Sequence, residues 1–207
     1  MKRKIYDVLL EWKKDGAGKT ALLIDGARRV GKSYIVEEFA KTEYKTYLMI
    51  DFNRVNDEVK DLFNNYLNDL DSLFMYLSVY YNVKLYPHES LIIFDEVQMY
   101  PRARAAIKYL VADGRYDYIE TGSLMSIKKN VQDILIPSEE RHIRMYPMDF
   151  EEFLWAKGYS DLHIEQILEH MCSGKAFSDT ELSVYKKCPF YALFRGFPCI
   201  LPQKSLQ

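Results

Sequence analysis

The sequence predicts an α/β fold, in which a mostly parallel β-sheet carries helices on both faces. Three observations support this prediction. Short apolar runs alternate with segments of helical periodicity, a glycine-rich loop joins the first run to a helix, and a later apolar run ends in two acidic residues. Strands that alternate with helices need crossover connections, and such connections produce a parallel sheet covered on both sides.

The strand and helix candidates follow one another in a regular order. Runs rich in apolar, aromatic and β-branched residues predict strands at 21–25, 46–50, 91–94 and 116–120. Apolar residues at helical spacing predict an amphipathic helix from Ile5 to Trp12, and further helices at 32–41 and 103–112. The polar and aromatic stretch that ends at Tyr81 is also interpreted as helical, with internal breaks.

The character of the chain changes after Leu124. The pattern there predicts extended segments at 134–137 and 141–145 and helices at 150–155 and 162–171. We expect a first domain in residues 1–160 and a helical C-terminal segment in residues 161–207. Because Pro198 and Pro202 interrupt any long element, that segment is interpreted as the start of a truncated second domain.

The composition indicates a folded, soluble protein. Of 207 residues, 48% are hydrophobic and 28% charged, which is ordinary for a globular chain. No apolar run reaches the roughly 20 residues that a membrane-spanning helix needs, and the N-terminus lacks the apolar stretch of a signal peptide. We therefore expect a cytoplasmic protein with no membrane partner.

Cysteines and charge argue against several other classes of protein. Three cysteines without a C-x-x-C pair favour neither a disulfide framework nor a zinc site. A formal net charge of -2 gives no general attraction to nucleic acid, although a local basic patch is compatible with it. The many tyrosines, including Tyr80 and Tyr81, are expected to pack in the core rather than to stack on bases.

A phosphate-binding loop is the strongest motif in the sequence. The eight residues from Gly26 fit G-x-x-x-x-G-K-[ST], the Walker A pattern, and they follow a predicted strand and open a predicted helix. In such a loop the backbone N–H groups point at phosphate oxygens, the lysine reaches the outer phosphates and the hydroxyl binds magnesium. The predicted nucleotide-binding residues are Gly26, Ala27, Arg28, Arg29, Val30, Gly31, Lys32, Ser33 and Tyr34.

Two features of this region leave alternatives open. A nearby Gly18-Lys19-Thr20 also ends like the motif, but it lacks the first glycine and precedes the strand, so we discard it. The loop itself could be a structural glycine turn. Arg28 and Arg29 could add positive potential around the phosphates, meet a neighbouring subunit or be solvated loop residues.

Acidic residues end the apolar run at 91–94, as in a Walker B strand. Asp95 is the predicted magnesium ligand together with Ser33, and Glu96 is the predicted group that activates water for attack on the terminal phosphate. Gln98 could assist from the following turn. The alternative is an ordinary strand that enters a solvated loop.

Hydroxyl groups at the end of the fourth strand are further catalytic candidates. Thr121 and Ser123 flank a glycine there, and together with Lys32 and Glu96 they complete the predicted catalytic set. Either hydroxyl could contact the terminal phosphate or the attacking water. The alternative is a helix cap or a turn.

Several motifs in order resemble a known family. They are Gly-Ala-Arg-Arg-Val-Gly-Lys-Ser, Ile-Ile-Phe-Asp-Glu-Val-Gln, Glu-Thr-Gly-Ser-Leu and the segment 145–153, Met-Tyr-Pro-Met-Asp-Phe-Glu-Glu-Phe. Together they resemble the prokaryotic AAA+ P-loop ATPases that carry a C-terminal restriction-endonuclease-like domain of unknown function. The resemblance extends to about residue 157 and implies that the Thr121 strand lies between the phosphate-loop strand and the Asp95 strand.

The chain also departs from that family in two ways. Family members usually continue for about as long again, so the resemblance implies that the nuclease-like domain is missing here. Many members have Gly-Arg soon after the Thr-Gly-Ser segment, whereas the nearest arginines here are Arg141 and Arg144. Either could stabilise the transition state in a neighbour's site as an arginine finger, although their alternation is also typical of solvent-facing strand residues.

The sequence therefore predicts an ATPase that uses ATP and Mg2+ to change the conformation of a partner or an attached domain. A homo-oligomer or a protein partner is possible, and the motifs do not distinguish ATP from GTP. One alternative is a nucleotide-gated interaction protein with little hydrolysis. Another is a phosphotransferase that acts on a small hydroxyl substrate.

Overall fold

The structure, a computed structural model, describes residues 2–123 and 140–173. They fall into two compact units, one from Ile5 to Pro147 and one that combines the first residues, through Lys4, with the chain from Met148 onward. The predicted domain boundary near residue 160 stays a prediction. The extended segment predicted at 134–137 and the end of the chain after residue 173 lie outside the described residues.

A five-stranded sheet forms the centre of the first unit. Its strands are β1 Ala21–Gly26, β2 Thr46–Asp51, β3 Ser90–Asp95, β4 Asp117–Ser123 and β5 Glu140–Met145. They lie in the order β2-β3-β4-β1-β5, and all described pairs are parallel. This confirms the predicted α/β fold with a parallel sheet. It also confirms that β4 lies between the phosphate-loop strand and the strand that ends at Asp95.

Helices connect the strands of the sheet, and further helices lie in the second unit. They are α1 Lys4–Asp15, α2 Lys32–Glu43, α3 Asp57–Asn65, α4 Leu70–Tyr80, α5 Pro101–Asp113, α6 Phe150–Ala156 and α7 Asp161–Ser173, with a 3-10 turn at Val97–Met99. The helical stretch predicted to end at Tyr81 is two helices because Asp69 caps the second, accepting from the backbone of Ser72. Proline at the start of α5 suits the first turn of a helix.

The core lies on both faces of the sheet, which explains why the strands are continuous apolar runs. In β1, Leu23 packs in a cluster with side chains of α3, α4 and α5, whereas Leu22 and Ile24 pack in a cluster with side chains of α1 and α2. All six residues of β1 and of β3 are buried. A parallel sheet buried on both faces needs no alternation of polar residues.

The structure corrects two interpretations of the sequence. Tyr80 is 46% exposed, so its predicted place in the core is wrong, because α4 turns that side chain outward while Leu77 is buried. Thr121 and Ser123 lie inside β4, not in a helix cap or a turn. The strand continues past the predicted end at residue 120 because it stays paired with β1 through Ser123.

The second unit contains α6 and α7. Asp149 caps α6 in a capping box, because its carboxylate accepts from the backbone N–H of Glu152 at 2.9 Å and the Glu152 carboxylate accepts from the backbone N–H of Asp149 at 3.1 Å. The helix from Phe150 to Ala156 confirms the helix predicted at 150–155, and its Leu154 is buried together with Ile164. Among the described helices, none has the length and apolarity to cross a membrane.

Candidate functional site

The loop from Gly26 to Ser33 joins β1 to α2. At Gly26 a Cβ atom would lie 2.2 Å from the backbone oxygen of Met145 on the adjacent strand β5, so only glycine fits there. Gly31 has a left-handed φ of 95° and serves as the N-cap of α2. Arg29 also has a left-handed φ, of 64°. Both glycines of the motif are therefore required by local geometry, and the loop ends at the N-terminus of a helix, where backbone N–H groups are available to an anion.

Lys32 lies at the start of α2 and is 5% exposed. Its Nζ donates to the backbone oxygens of Ala27 at 2.9 Å and Gly26 at 3.3 Å, so the side chain folds back over the loop. Burial lowers the pKa of this amine, and the nearby carboxylates of Glu96 and, less strongly, Asp95 oppose that effect. The loop thus holds a buried cation against its own carbonyl groups.

Asp95, at the end of β3, connects the phosphate loop to β4. Its Oδ1 accepts a hydrogen bond from the Ser33 hydroxyl at 2.8 Å, and the Thr121 hydroxyl donates to the same oxygen. The Asp95 residue is 6% exposed. Three elements that are distant in sequence therefore meet at one carboxylate oxygen. The neighbouring positions of β3 and β4 in the sheet bring Asp95 and Thr121 together.

Glu96 follows directly and leaves the strand through an unusual backbone conformation. Its φ and ψ are 51° and 44°, in the left-handed region that non-glycine residues seldom occupy. The backbone N–H of Glu96 donates to the Thr121 hydroxyl at 3.3 Å, and the Gln98 amide donates to the Glu96 carboxylate. Left-handed residues of this kind concentrate at functional sites.

The structure also locates the other predicted residues. Ala27, Arg28, Arg29 and Tyr34 are exposed, and Val30 packs partly against the core on the α2 face. Ser123 is buried and lies opposite Gly26 in the register between β4 and β1. The contacts that join the loop to Asp95 come from the hydroxyl groups of Ser33 and Thr121.

Asp25 is a buried charge that sequence reasoning treated only as the end of a strand. Its side chain is 1% exposed and faces two residues of the edge strand β5. The Arg144 Nε donates to Asp25 Oδ1 at 3.3 Å, and the His142 Nε2 lies 3.0 Å from Oδ2. The Arg144 guanidinium is thus partly occupied by its contact with Asp25. Arg141 is exposed, and no described residue pairs with it.

A second buried cluster was missed altogether, and it joins helix α5 to strands β4 and β5. Arg104 of α5 binds Glu140 of β5 in a bidentate manner, with N···O distances of 2.9 and 3.2 Å. Glu120 of β4 is fully buried nearby, and within the described part of the chain neither of its carboxylate oxygens has a hydrogen-bond partner. Burial, and then the charge of Glu140, raise the pKa of Glu120 well above its usual range. The signal for it in the sequence was an acidic residue at an interior position of a strand, directly after Tyr118 and Ile119.

The donor set around Asp95 fits a hard cation that is bound together with a phosphate group. Magnesium takes oxygen ligands, and the Ser33 hydroxyl and the Asp95 carboxylate place two such oxygens 2.8 Å apart. Beside them lie the N-terminus of α2 and the buried amine of Lys32. The described residues contain no separate cluster of three or more His, Cys, Asp or Glu that could hold a metal ion.

Comparison with models of protein families identifies the family of this chain. A family model described as an AAA domain matches residues 18–154, which include the loop, Asp95 and β4. The chain belongs to the AAA domain family. Membership of this family supports nucleotide binding by this AAA domain. The narrower resemblance to AAA+ ATPases with a restriction-endonuclease-like domain stays a prediction.

Solved structures give two further likenesses to this AAA domain. An AMPPCP-bound DnaA from Aquifex aeolicus matches with a TM-score of 0.44 at 15% identity, over 93% of this chain and 63% of that chain. PCH-2 from C. elegans matches with a TM-score of 0.39 at 12% identity, over 94% of this chain and 55% of that chain. The chain therefore spans less than two thirds of either protein, and likenesses this distant add nothing to what the sheet order shows. No curated protein matches significantly.

Proposed function

We propose that this AAA domain binds ATP with Mg2+ at the loop from Gly26 to Ser33 and hydrolyses it, with Glu96 as the general base. One observation carries the proposal: the hydroxyl groups of Ser33 and Thr121 donate to the same oxygen of Asp95. This contact joins the phosphate loop, the acidic strand and its neighbour at one point. An ordinary strand that enters a solvated loop has no need of such a junction.

Each residue of the site has a task that follows from its position. The backbone of the loop and the Lys32 amine bind the phosphates, and the amine leaves its carbonyl partners to do so. Ser33 and Asp95 hold Mg2+, which when bound neutralises charge on the phosphate oxygens. Glu96 accepts the proton of the attacking water. Thr121 fixes the Asp95 carboxylate and the Glu96 backbone relative to each other.

We propose further that the site acts in an assembly and drives movement of a partner or an attached domain. An exposed arginine from a second copy would complete the charge stabilisation around the terminal phosphate, and Arg141 has its side chain available for that role. Turnover would then depend on protein concentration. The changed phosphate contacts would move a partner or an attached domain.

The test is phosphate release from ATP and Mg2+ without any added acceptor. We expect Lys32→Ala to lose nucleotide binding and turnover together. Glu96→Gln should keep ATP binding and lose turnover by a factor of roughly 100 to 10,000, the usual contribution of a general base. Lys41→Ala, on the exposed end of the same helix, and Glu89→Gln, a surface carboxylate, are the matched controls and should behave as wild type.

Two other results would redirect the assignment. If the wild type binds ATP but releases no phosphate over a wide range of protein concentrations, the chain is a nucleotide-gated interaction protein. If phosphate transfer appears only when a small hydroxyl compound is added, the chain is a phosphotransferase. Loss of activity in the control variants would show that the substitutions act through the fold.

A further inference from the structure

We propose that Gln98 is a positioning residue that fixes the Glu96 carboxylate through a hydrogen bond to one of its oxygens. The inference rests on the proposed ATPase function and gives Gln98, the last residue of the segment Ile-Ile-Phe-Asp-Glu-Val-Gln, a defined role in it. It concerns the 3-10 turn that follows β3.

Gln98 is suited to hold another side chain because it is itself fixed. It lies in the 3-10 turn Val97–Met99 and is 5% exposed. Its amide Nε2 donates to Glu96 Oε2. The turn is closed by a backbone hydrogen bond of 2.9 Å from Met99 N–H to the oxygen of Glu96, so donor and acceptor belong to one compact unit. A buried amide in a closed turn has few alternative positions.

Glu96 needs such a contact because its backbone alone does not orient its carboxylate. The backbone N–H is tied to Thr121, but the side chain is only partly buried and has three rotatable bonds. A general base must lie within hydrogen-bond reach of the water it activates, and small misplacements cost large factors in rate. An amide that occupies Oε2 leaves Oε1 to accept a hydrogen bond from water.

The attachment of the Glu96 backbone supports this role. The Thr121 hydroxyl that accepts from the Glu96 N–H also donates to Asp95 Oδ1, and the Ser33 hydroxyl of the phosphate loop donates to that same oxygen. The start of the Glu96 side chain is therefore fixed next to the carboxylate that contacts the phosphate loop. Gln98 fixes the other end of that side chain through Oε2.

The experiment uses Gln98→Met, which keeps the length of the side chain and removes the N–H donor. We expect kcat for ATP to fall about 10-fold while KM changes less than about 2-fold, because orientation and not nucleotide binding is lost. In a Glu96→Gln background the same substitution should cause no further loss, since it acts only through Glu96. Gln98→Glu, which places a second carboxylate beside Glu96, should lower kcat at least as much.

Controls separate this role from a structural one. Met99→Gln changes the next residue of the turn, which is 53% exposed, and should leave kcat unchanged. Thermal unfolding and ATP affinity of Gln98→Met and Met99→Gln should match the wild type. A wild-type kcat in Gln98→Met, or an equal loss in the Glu96→Gln background, would overturn this inference while the ATPase function stands. Absence of turnover in the wild type would overturn both.

Discussion

Asp95 and Glu120 are buried carboxylates on neighbouring strands, but the groups around them differ. Asp95, at the end of β3, accepts hydrogen bonds from two hydroxyl groups. Glu120, inside β4, is fully buried, and no described residue donates to it. Removing a carboxylate from water costs several kcal/mol unless donors or opposite charges replace the lost hydration. The fold therefore compensates the two burials in different ways.

The difference separates a binding position from a structural one. The hydroxyl donors around Asp95 compensate its burial without adding positive charge, so the carboxylate can still attract a cation. Arg104 is a cation that acts on Glu120, but it already makes two hydrogen bonds to Glu140. Burial therefore favours the protonated form of Glu120 and raises its pKa. Burial alone thus does not identify a functional acid, whereas the chemistry of its neighbours does.

Asp95→Asn should produce the largest effect. The amide keeps the size and an acceptor oxygen for both hydroxyl groups, but it removes the charge that we propose holds Mg2+. We expect phosphate release to fall by at least about 100-fold, because a metal contributes several kcal/mol to such a reaction. The free energy of unfolding should change by less than about 1 kcal/mol.

The matched control is Asp117→Asn. Asp117 is also a strand aspartate with little exposure that accepts from a hydroxyl, that of Tyr44 at 2.8 Å, but it lies at the opposite end of β4 from Thr121. It should retain turnover per folded molecule. Equal losses in the two variants would contradict the assignment of the metal position to Asp95.

Glu120→Gln tests, through the pH dependence of stability, whether the buried Glu120 is protonated. Because the folded-state pKa is raised above its ordinary value of 4.5, the folded chain keeps a proton that the unfolded chain loses as pH rises. Stability therefore falls as pH increases from the ordinary pKa toward the raised one, with a slope of up to about 1.4 kcal/mol per pH unit. Glutamine does not titrate, so the variant should lose this slope. Chemical denaturation between pH 5 and pH 8 measures it.

The control for the pH experiment is Glu89→Gln. Glu89 forms a surface pair with Lys45, and its side chain is 54% exposed. Its replacement should leave the slope of the wild type in place. A wild-type slope in Glu120→Gln would mean that Glu120 is ionised when buried, and the contrast with Asp95 would then be wrong.

Local patterns predicted the fold and the centre of the candidate site. Glycine positions and apolar runs depend on neighbours in sequence, so the loop around Lys32, the strand before Asp95 and the parallel sheet could all be predicted. The hydroxyl of Thr121 was predicted as a candidate because it ends a strand next to that site. Its contact with Asp95 follows from strand order, which only the family resemblance implied.

The buried charge clusters could not be predicted because their members are distant in sequence. Asp25 meets Arg144 across the β1 and β5 pairing, 119 residues apart. Arg104 meets Glu140 between a helix and an edge strand. Without the register of the neighbouring strand, an acidic residue in a predicted strand is interpreted as the solvent-exposed end of that strand. The alternation of residues in β5 suggested that Arg144 faces solvent. In the structure its side chain is 44% exposed, but it also binds the buried Asp25.

Arg144→Ala and Arg141→Ala should give the smallest effects, and they sharpen the comparison at the third buried acid, Asp25. Arg144→Ala removes one partner of a fully buried carboxylate, so we expect a larger loss in the free energy of unfolding than Arg141→Ala causes. Arg141 is exposed and unpaired among the described residues, so its replacement should cost less than about 0.5 kcal/mol.

A double-mutant cycle with Asp25→Asn shows whether the cost at Arg144 arises from that contact. In the Asp25→Asn background the loss caused by Arg144→Ala should largely disappear, because the carboxylate that required the guanidinium is gone. Equal losses in both backgrounds would assign the effect to other contacts of Arg144, such as that with Tyr146. A selective loss of turnover in Arg141→Ala, with stability unchanged, would favour Arg141 over Arg144 as the residue that acts on a neighbouring copy, since Arg144 is held by the acid that precedes the phosphate loop.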